Sequence, residues 1–167
     1  MIIKLTKDDQ AVVRQQARLR GQLVSLTRKA DEKKSSYNDF EIDVLGVMAE
    51  VCFAKLFNKP TILDRGIDDG TDFYLHNIAV DVKGSKTDKL WFKRKDAFKS
   101  DVAVLMMLKD NTSMECLGFI DRQTYIDNCQ VNSANGTFFL EAKKLYRIDR
   151  LWYKYQANKL GGKINEY

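Results

Sequence analysis

The sequence predicts an α/β domain built on a mixed central β-sheet, and three observations lead there. Apolar residues at helical spacing open the chain and return near its end, a tight hairpin with strict alternation is centred on residues 76 and 77, and two apolar runs around 101–108 and 114–120 are separated by a short turn. At 167 residues, 44% hydrophobic and 31% charged, the chain has the size and composition of a single globular domain. It divides into an N-terminal helical segment with a linker, residues 1–36, and a core, residues 37–167.

Taken in order, Thr6-Lys7-Asp8-Asp9 has the form of a helix start, and Val12, Leu19, Leu23 and Leu26 follow at helical spacings, so a helix is expected over 7–30. Its other sides carry Arg14, Arg18, Arg20, Arg28 and Lys29, which read as a solvated face or as contacts to a nucleic-acid backbone. Residues 31–38 are polar and read as a linker. A second helix is expected over 39–57, with Asp39, Glu41 and Asp43 at the positive end of its dipole. From Val44 onward it is apolar nearly all round, which predicts burial, and Glu50 sits in its middle.

A short strand is expected at 61–63, then a loop through Gly66, Asp68, Asp69 and Gly70 to the hairpin. With the turn at His76-Asn77, strands 72–75 and 78–83 place Phe73 opposite Val80 and Leu75 opposite Ile78. One face is then wholly apolar, while the other carries Asp72, Tyr74, Ala79, Asp81 and Lys83. Beyond it, 101–108 reads as a buried strand, 114–120 as another, 121–127 as a short helix, 138–140 as an extended segment and 149–158 as the last helix.

The hairpin register sets Asp72 against Asp81 with β-carbons about 5 Å apart, where two negative charges repel by about 3 kcal/mol at an effective dielectric of 20. A divalent cation is the usual remedy for such a pair, and Lys83 adds a positive charge on the same face. Glu50, inside an otherwise apolar helix, also needs a partner. A Lys or Arg would serve structure alone; a metal ion or metal-bound water near Asp72 and Asp81 is the functional reading, and the preferred one.

An acid before a short hairpin, then acid-x-Lys on a strand, with a Glu on the preceding helix, resembles the PD-(D/E)XK nuclease superfamily of restriction-endonuclease-like fold. The residues are Glu50, Asp72, Asp81 and Lys83, with Thr71 where the pattern has proline. Acid-x-Lys occurs four times in the chain, at 31–33, 32–34, 81–83 and 141–143, and only at 81–83 is it joined to a facing acid and a helical Glu.

The resemblance implies a three-layer core with the mixed sheet flanked by helices. It also implies a metal-dependent nuclease, an endonuclease hydrolysing DNA phosphodiester bonds. Asp72 and Asp81, with the Val82 carbonyl, would bind Mg2+, for which Mn2+ can substitute. Glu50 would hold a second metal or a metal-bound water, and Lys83 would serve the attacking water and the transition state. Cutting both strands of a duplex calls for two such cores, which makes a homodimer an expectation.

The charge balance agrees with a polyanionic partner: 28 Lys and Arg against 23 Asp and Glu give a formal charge of +5. Lys86, Lys89, Lys93, Arg94 and Lys95, interleaved with Trp91 and Phe92, are the expected DNA contacts, by phosphate neutralisation with base stacking. The competing readings are a solvated basic strip over two core aromatics, a non-catalytic nucleic-acid-binding protein on the same scaffold, and a structural protein.

Cys52, Cys116 and Cys129 form no Cys-x-x-Cys pair and exclude a zinc or disulfide framework. The single histidine, His76, falls in the turn, which excludes histidine-based nuclease chemistry and nucleophile triads. No apolar run nears the roughly 20 residues of a membrane span, and Met1-Ile2-Ile3-Lys4 does not read as a signal peptide. A cytoplasmic protein without membrane association is expected.

Overall fold

Thr6 and Asp9 close the capping box that their spacing predicts. The Thr6 N–H and hydroxyl donate to Asp9 Oδ2 at 2.7 and 2.8 Å, and the Asp9 N–H donates back to Thr6 Oγ1 at 3.2 Å. Helix α1 runs from there over Lys7–Thr27. The computed structural model describes residues 1–27, 39–61 and 70–159. Arg28 and Lys29, the linker at 31–38, most of the short strand expected at 61–63, and Asp68 and Asp69 lie outside the described residues.

Of the expected stripe of α1, Val12 is half-buried and Leu19 is not, while the side chains of Leu23 and Leu26 lie outside the described ones. Val13, Gln16 and Ala17 face inward, Arg20 follows on the same stripe, and Leu19 is 44% exposed. The 13/16/17/20 spacing is as regular as the apolar one, but two of its members are polar.

α2 (Asp39–Leu56) is buried on nearly every side from Val47 to Ala54, as its apolar composition predicts, because α1 covers one side and the sheet the other. It ends at Asn58, which adopts the left-handed conformation (φ 49°) while the Lys59 N–H donates to the Ala54 carbonyl at 2.8 Å.

The central sheet has five strands in the order β1 (Ile2–Lys4), β6 (Ser113–Asp121), β5 (Val102–Asp110), β3 (Ile78–Ser85) and β2 (Phe73–Leu75). Only β3 and β5 are parallel, so the sheet is mixed. A bulge at Leu117 shifts the β5–β6 register, and Gly118 beside it (φ 144°) lies where a β-carbon would come within 2.4 Å of the Tyr146 carbonyl oxygen.

Two cores share this sheet. Val80, Val82, Val104 and Met106 pack under α2 together with Leu151 and Tyr155 of α4 (Ile148–Lys159). Ala103 and Leu105 face the other way, into Leu90, Phe92, Phe98, Tyr125 and Leu140.

The second face is covered differently from the first. Among the described residues the long helices α1, α2 and α4 cover one face; the other is closed mainly by a three-stranded sheet, β4 (Lys89–Phe92), β8 (Phe138–Glu141) and β7 (Gln130–Val131), with the short α3 (Arg122–Asn128) beside it. Asp121 caps α3, its carboxylate accepting from the Thr124 N–H at 2.8 Å. The fold is thus α/β with a mixed five-stranded sheet, and the Lys89–Phe92 stretch is a strand of the covering layer.

Candidate active site

The hairpin pairs Phe73 with Val80, Tyr74 with Ala79 and Leu75 with Ile78, the register read from the alternation. His76 at its turn has a φ of 58° and is exposed. The ladder ends at Phe73: Asp72 lies just outside β2, and its N–H donates at 2.8 Å to the carbonyl of Val80, the residue already paired with Phe73, so the facing Asp72–Asp81 pair expected from the alternation is not part of the ladder. One step further on, the Val82 N–H donates at 2.6 Å to Asp72 Oδ2. The carboxylate thus takes the place that a main-chain carbonyl would fill if β2 were longer, which fixes it at the mouth of the hairpin.

Two packing details hold this geometry. Ser100, 2% exposed, bonds Thr71 Oγ1 at 3.1 Å and donates to the Gly70 carbonyl, anchoring the chain just before Asp72. On the other side, a β-carbon on Gly84 would stand 2.5 Å from the Leu45 carbonyl oxygen, so glycine is what lets β3 approach α2.

Asp72 lies between two ion pairs. On the α2 side, Glu50 is gripped by Arg20 in a two-point contact, Nη1 to Oε1 at 2.8 Å and Nη2 to Oε2 at 2.6 Å. Asp81 and Lys83 pair with Ala103 and Leu105 and so share the sheet face turned away from α2. Asp81 is 2% exposed, and its Oδ1 lies 2.8 Å from Lys83 Nζ. The Lys83 ammonium also sits 5.3 Å from the centre of the Phe92 ring.

Burial pushes Asp72 up to about 8, and the charges of Glu50 and Asp81 push in the same direction; the Val82 N–H and Lys83 pull against them. Three carboxylates from α2, the start of the hairpin and β3 therefore share one electrostatic neighbourhood with Lys83.

In chemistry the donor set fits a hard divalent cation: oxygen ligands with an uncompensated excess of negative charge. In placement, no three acidic, histidine or cysteine side chains among the described residues are close enough together to hold an ion. Glu50 is engaged by Arg20 and Asp81 by Lys83, so a cation at Asp72 and Asp81 would compete with Lys83. For Glu50, the arginine partner is the one the structure supplies. Val82 contributes its N–H to Asp72 and its side chain to the core.

The acid-x-Lys at Glu141 and Lys143 is an ion pair whose lysine is 75% exposed, quite unlike the buried Asp81. Arg20 was missed because it was counted with the polar side of α1; its place on the 13/16/17/20 stripe was the available signal. Ser100 left none, since its partners are thirty residues earlier.

The basic segment divides. Lys86 reaches Glu41 at 3.5 Å, near α2, while Lys89 lies over Phe139 and Trp91 on the outer layer. Arg94 pairs with Asp96, Lys95 donates to the Ile126 carbonyl, and Lys93 is exposed. Phe92 belongs to the second core; Trp91 does not.

Among the described residues no helix is long and apolar enough to cross a membrane. Set against protein-family models, curated proteins and solved structures, the chain has no significant match.

Proposed function

We propose that this chain is a divalent-metal-dependent nuclease that hydrolyses DNA phosphodiester bonds, an endonuclease of the PD-(D/E)XK type on a restriction-endonuclease-like core, acting in the cytoplasm. The observation that carries the reading is the placement of Asp72: the Val82 N–H holds its carboxylate at 2.6 Å where the charges of Glu50 and Asp81 both reach it, so three carboxylates meet two cations, Arg20 and Lys83.

Asp72 and Asp81, with the Val82 carbonyl, would hold Mg2+ or Mn2+. When bound, the ion supplies an acidified water and neutralises charge developing on phosphorus. Lys83, released from Asp81, donates to the attacking water or to a phosphoryl oxygen, a role suited to a compact charge on a flexible stem. Glu50 keeps Arg20 in place at the rim and adds negative charge beside Asp72. Lys86, Lys89, Lys93, Arg94 and Lys95 neutralise the DNA backbone, and a second copy of the chain would address the opposite strand.

The occupied states of Glu50 and Asp81 favour one rival, a nucleic-acid-binding protein on this scaffold without catalysis. Incubation of supercoiled and linear DNA with Mg2+, Mn2+ or EDTA separates the two. The nuclease reading expects metal-dependent nicking that falls at least about a hundredfold in Asp81→Asn and Lys83→Met. Nicking that survives both substitutions removes this site; salt-sensitive binding with no cleavage supports the rival. A panel of duplex, nicked, flap, four-way-junction and single-stranded DNA then reads the substrate.

A further inference from the structure

We infer that the outer face of the small sheet is a stacking platform for single-stranded nucleic acid, with Trp91 as its principal ring. The inference adds a contact for single-stranded segments of the substrate to the nuclease reading, and rests on that reading for taking the polyanion to be nucleic acid.

Strand alternation sorts β4 and β8 cleanly. Leu90, Phe92 and Leu140 point into the second core, whereas Trp91 and Phe139, paired in register, belong to neither core. Both rings are half-buried, and they lie against one another with centroids 4.9 Å apart at 41°. A core would hide such a pair, and a purely solvated sheet face has no use for it.

The Lys89 ammonium hovers 4.6 Å from the centre of Phe139 and 5.9 Å from that of Trp91. The Trp91 indole N–H points back to Thr87 Oγ1 at 3.4 Å, which steadies the ring and keeps its one polar atom turned toward its own chain.

Charge complementarity selects the occupant. Residues 86–99 hold six Lys and Arg against two Asp, a surplus of four within a chain whose formal charge is +5. Lys143 and Lys144, both exposed, follow β8 directly. Bases need a flat apolar ring and phosphates need nearby cations, and a duplex presents only the second requirement because its bases are already stacked. A single strand satisfies both, its base on Trp91 and its phosphates on Lys89 and Lys93.

The test is fluorescence anisotropy in EDTA with three labelled probes of equal length: oligothymidylate, an abasic oligomer and a duplex. Trp91→Ala is expected to weaken oligothymidylate binding about 5- to 150-fold, the range for loss of one stacked base, and to leave the abasic and duplex probes unchanged. Trp91→Phe should retain most of the affinity, which also separates stacking from misfolding. Equal weakening for all three probes, or none for any, overturns the inference. Because EDTA removes hydrolysis, the two ideas can fail separately. A chain that never cleaves yet loses single strands in Trp91→Ala overturns the nuclease reading alone; one that cleaves yet is indifferent to Trp91 overturns the platform alone.

Discussion

Replacing Arg20 by methionine tests whether α1 is part of the site or merely packed beside it. The substitution keeps the length of the aliphatic stem and removes the two-point grip on Glu50, whose side chain is 11% exposed. Breaking a buried ion pair costs about 3–5 kcal/mol and breaking an exposed one about 0–1. Arg20 keeps 36% of its side-chain surface, so the pair falls between these limits. Coulomb's law gives about 4 kcal/mol for charges about 4 Å apart at an effective dielectric of 20, and holding the arginine side chain in one geometry costs up to about 2. A net loss of about 2 kcal/mol follows. With a urea m-value of about 2 kcal/mol/M, the midpoint should fall by about 1 M, followed by circular dichroism at 222 nm. In Arg20→Met/Glu50→Met no stranded carboxylate remains, so most of the loss should be recovered. A single-mutant midpoint unchanged within about 0.2 M, or a double mutant less stable than the single, would refute the assignment of Arg20 as the partner of Glu50.

Asp72 predicts a pH dependence of stability. Its folded value of about 8 lies above the ordinary 3.8, so well below pH 3.8 the carboxyl is protonated folded or unfolded and costs nothing. From about pH 4 to 8 folding must take up a proton, and stability should fall by about 1.4 kcal/mol per pH unit, reaching its full cost above 8. Asp72→Asn should match the wild type near pH 3 and exceed it by several kcal/mol at pH 8; parallel melting curves at both pH values would sink this. Gly84→Ala drives a methyl into the Leu45 carbonyl, which as backbone cannot yield cheaply, and should cost about 1–3 kcal/mol in thermal unfolding. The Tyr125 hydroxyl is buried and finds no hydrogen-bond partner among the described residues. Tyr125→Phe should therefore be neutral or about 1 kcal/mol more stable by urea denaturation, and a clear loss would mean that the hydroxyl has a partner.

The parts of the fold legible in the sequence are those whose signals are local. The hairpin's register follows from alternation across a two-residue turn, the start of α1 from four consecutive residues, and the burial of α2 from its composition. β4 is less legible, since Lys89-Leu90-Trp91-Phe92 sets three apolar residues in a row and only their burial alternates, and its partner β8 begins more than forty residues downstream. The lysines around it resemble a recognition strip as much as a strand of a covering sheet. In the site, the alternation gives the face shared by Asp81 and Lys83, whereas the placement of Asp72 depends on how the chain leaves β2, and the partner of Glu50 on how two helices lie together. An arginine on a helix reads as solvated until the carboxylate it meets is known.

The short β2 also gives the molecule a reporter. Because the Val82 amide donates to the Asp72 carboxylate and not to a backbone carbonyl, its proton senses whether that side chain is charged, neutral or engaged by an ion. Its chemical shift and exchange rate should follow the acid directly, so a single backbone resonance could track the site in the absence of any substrate.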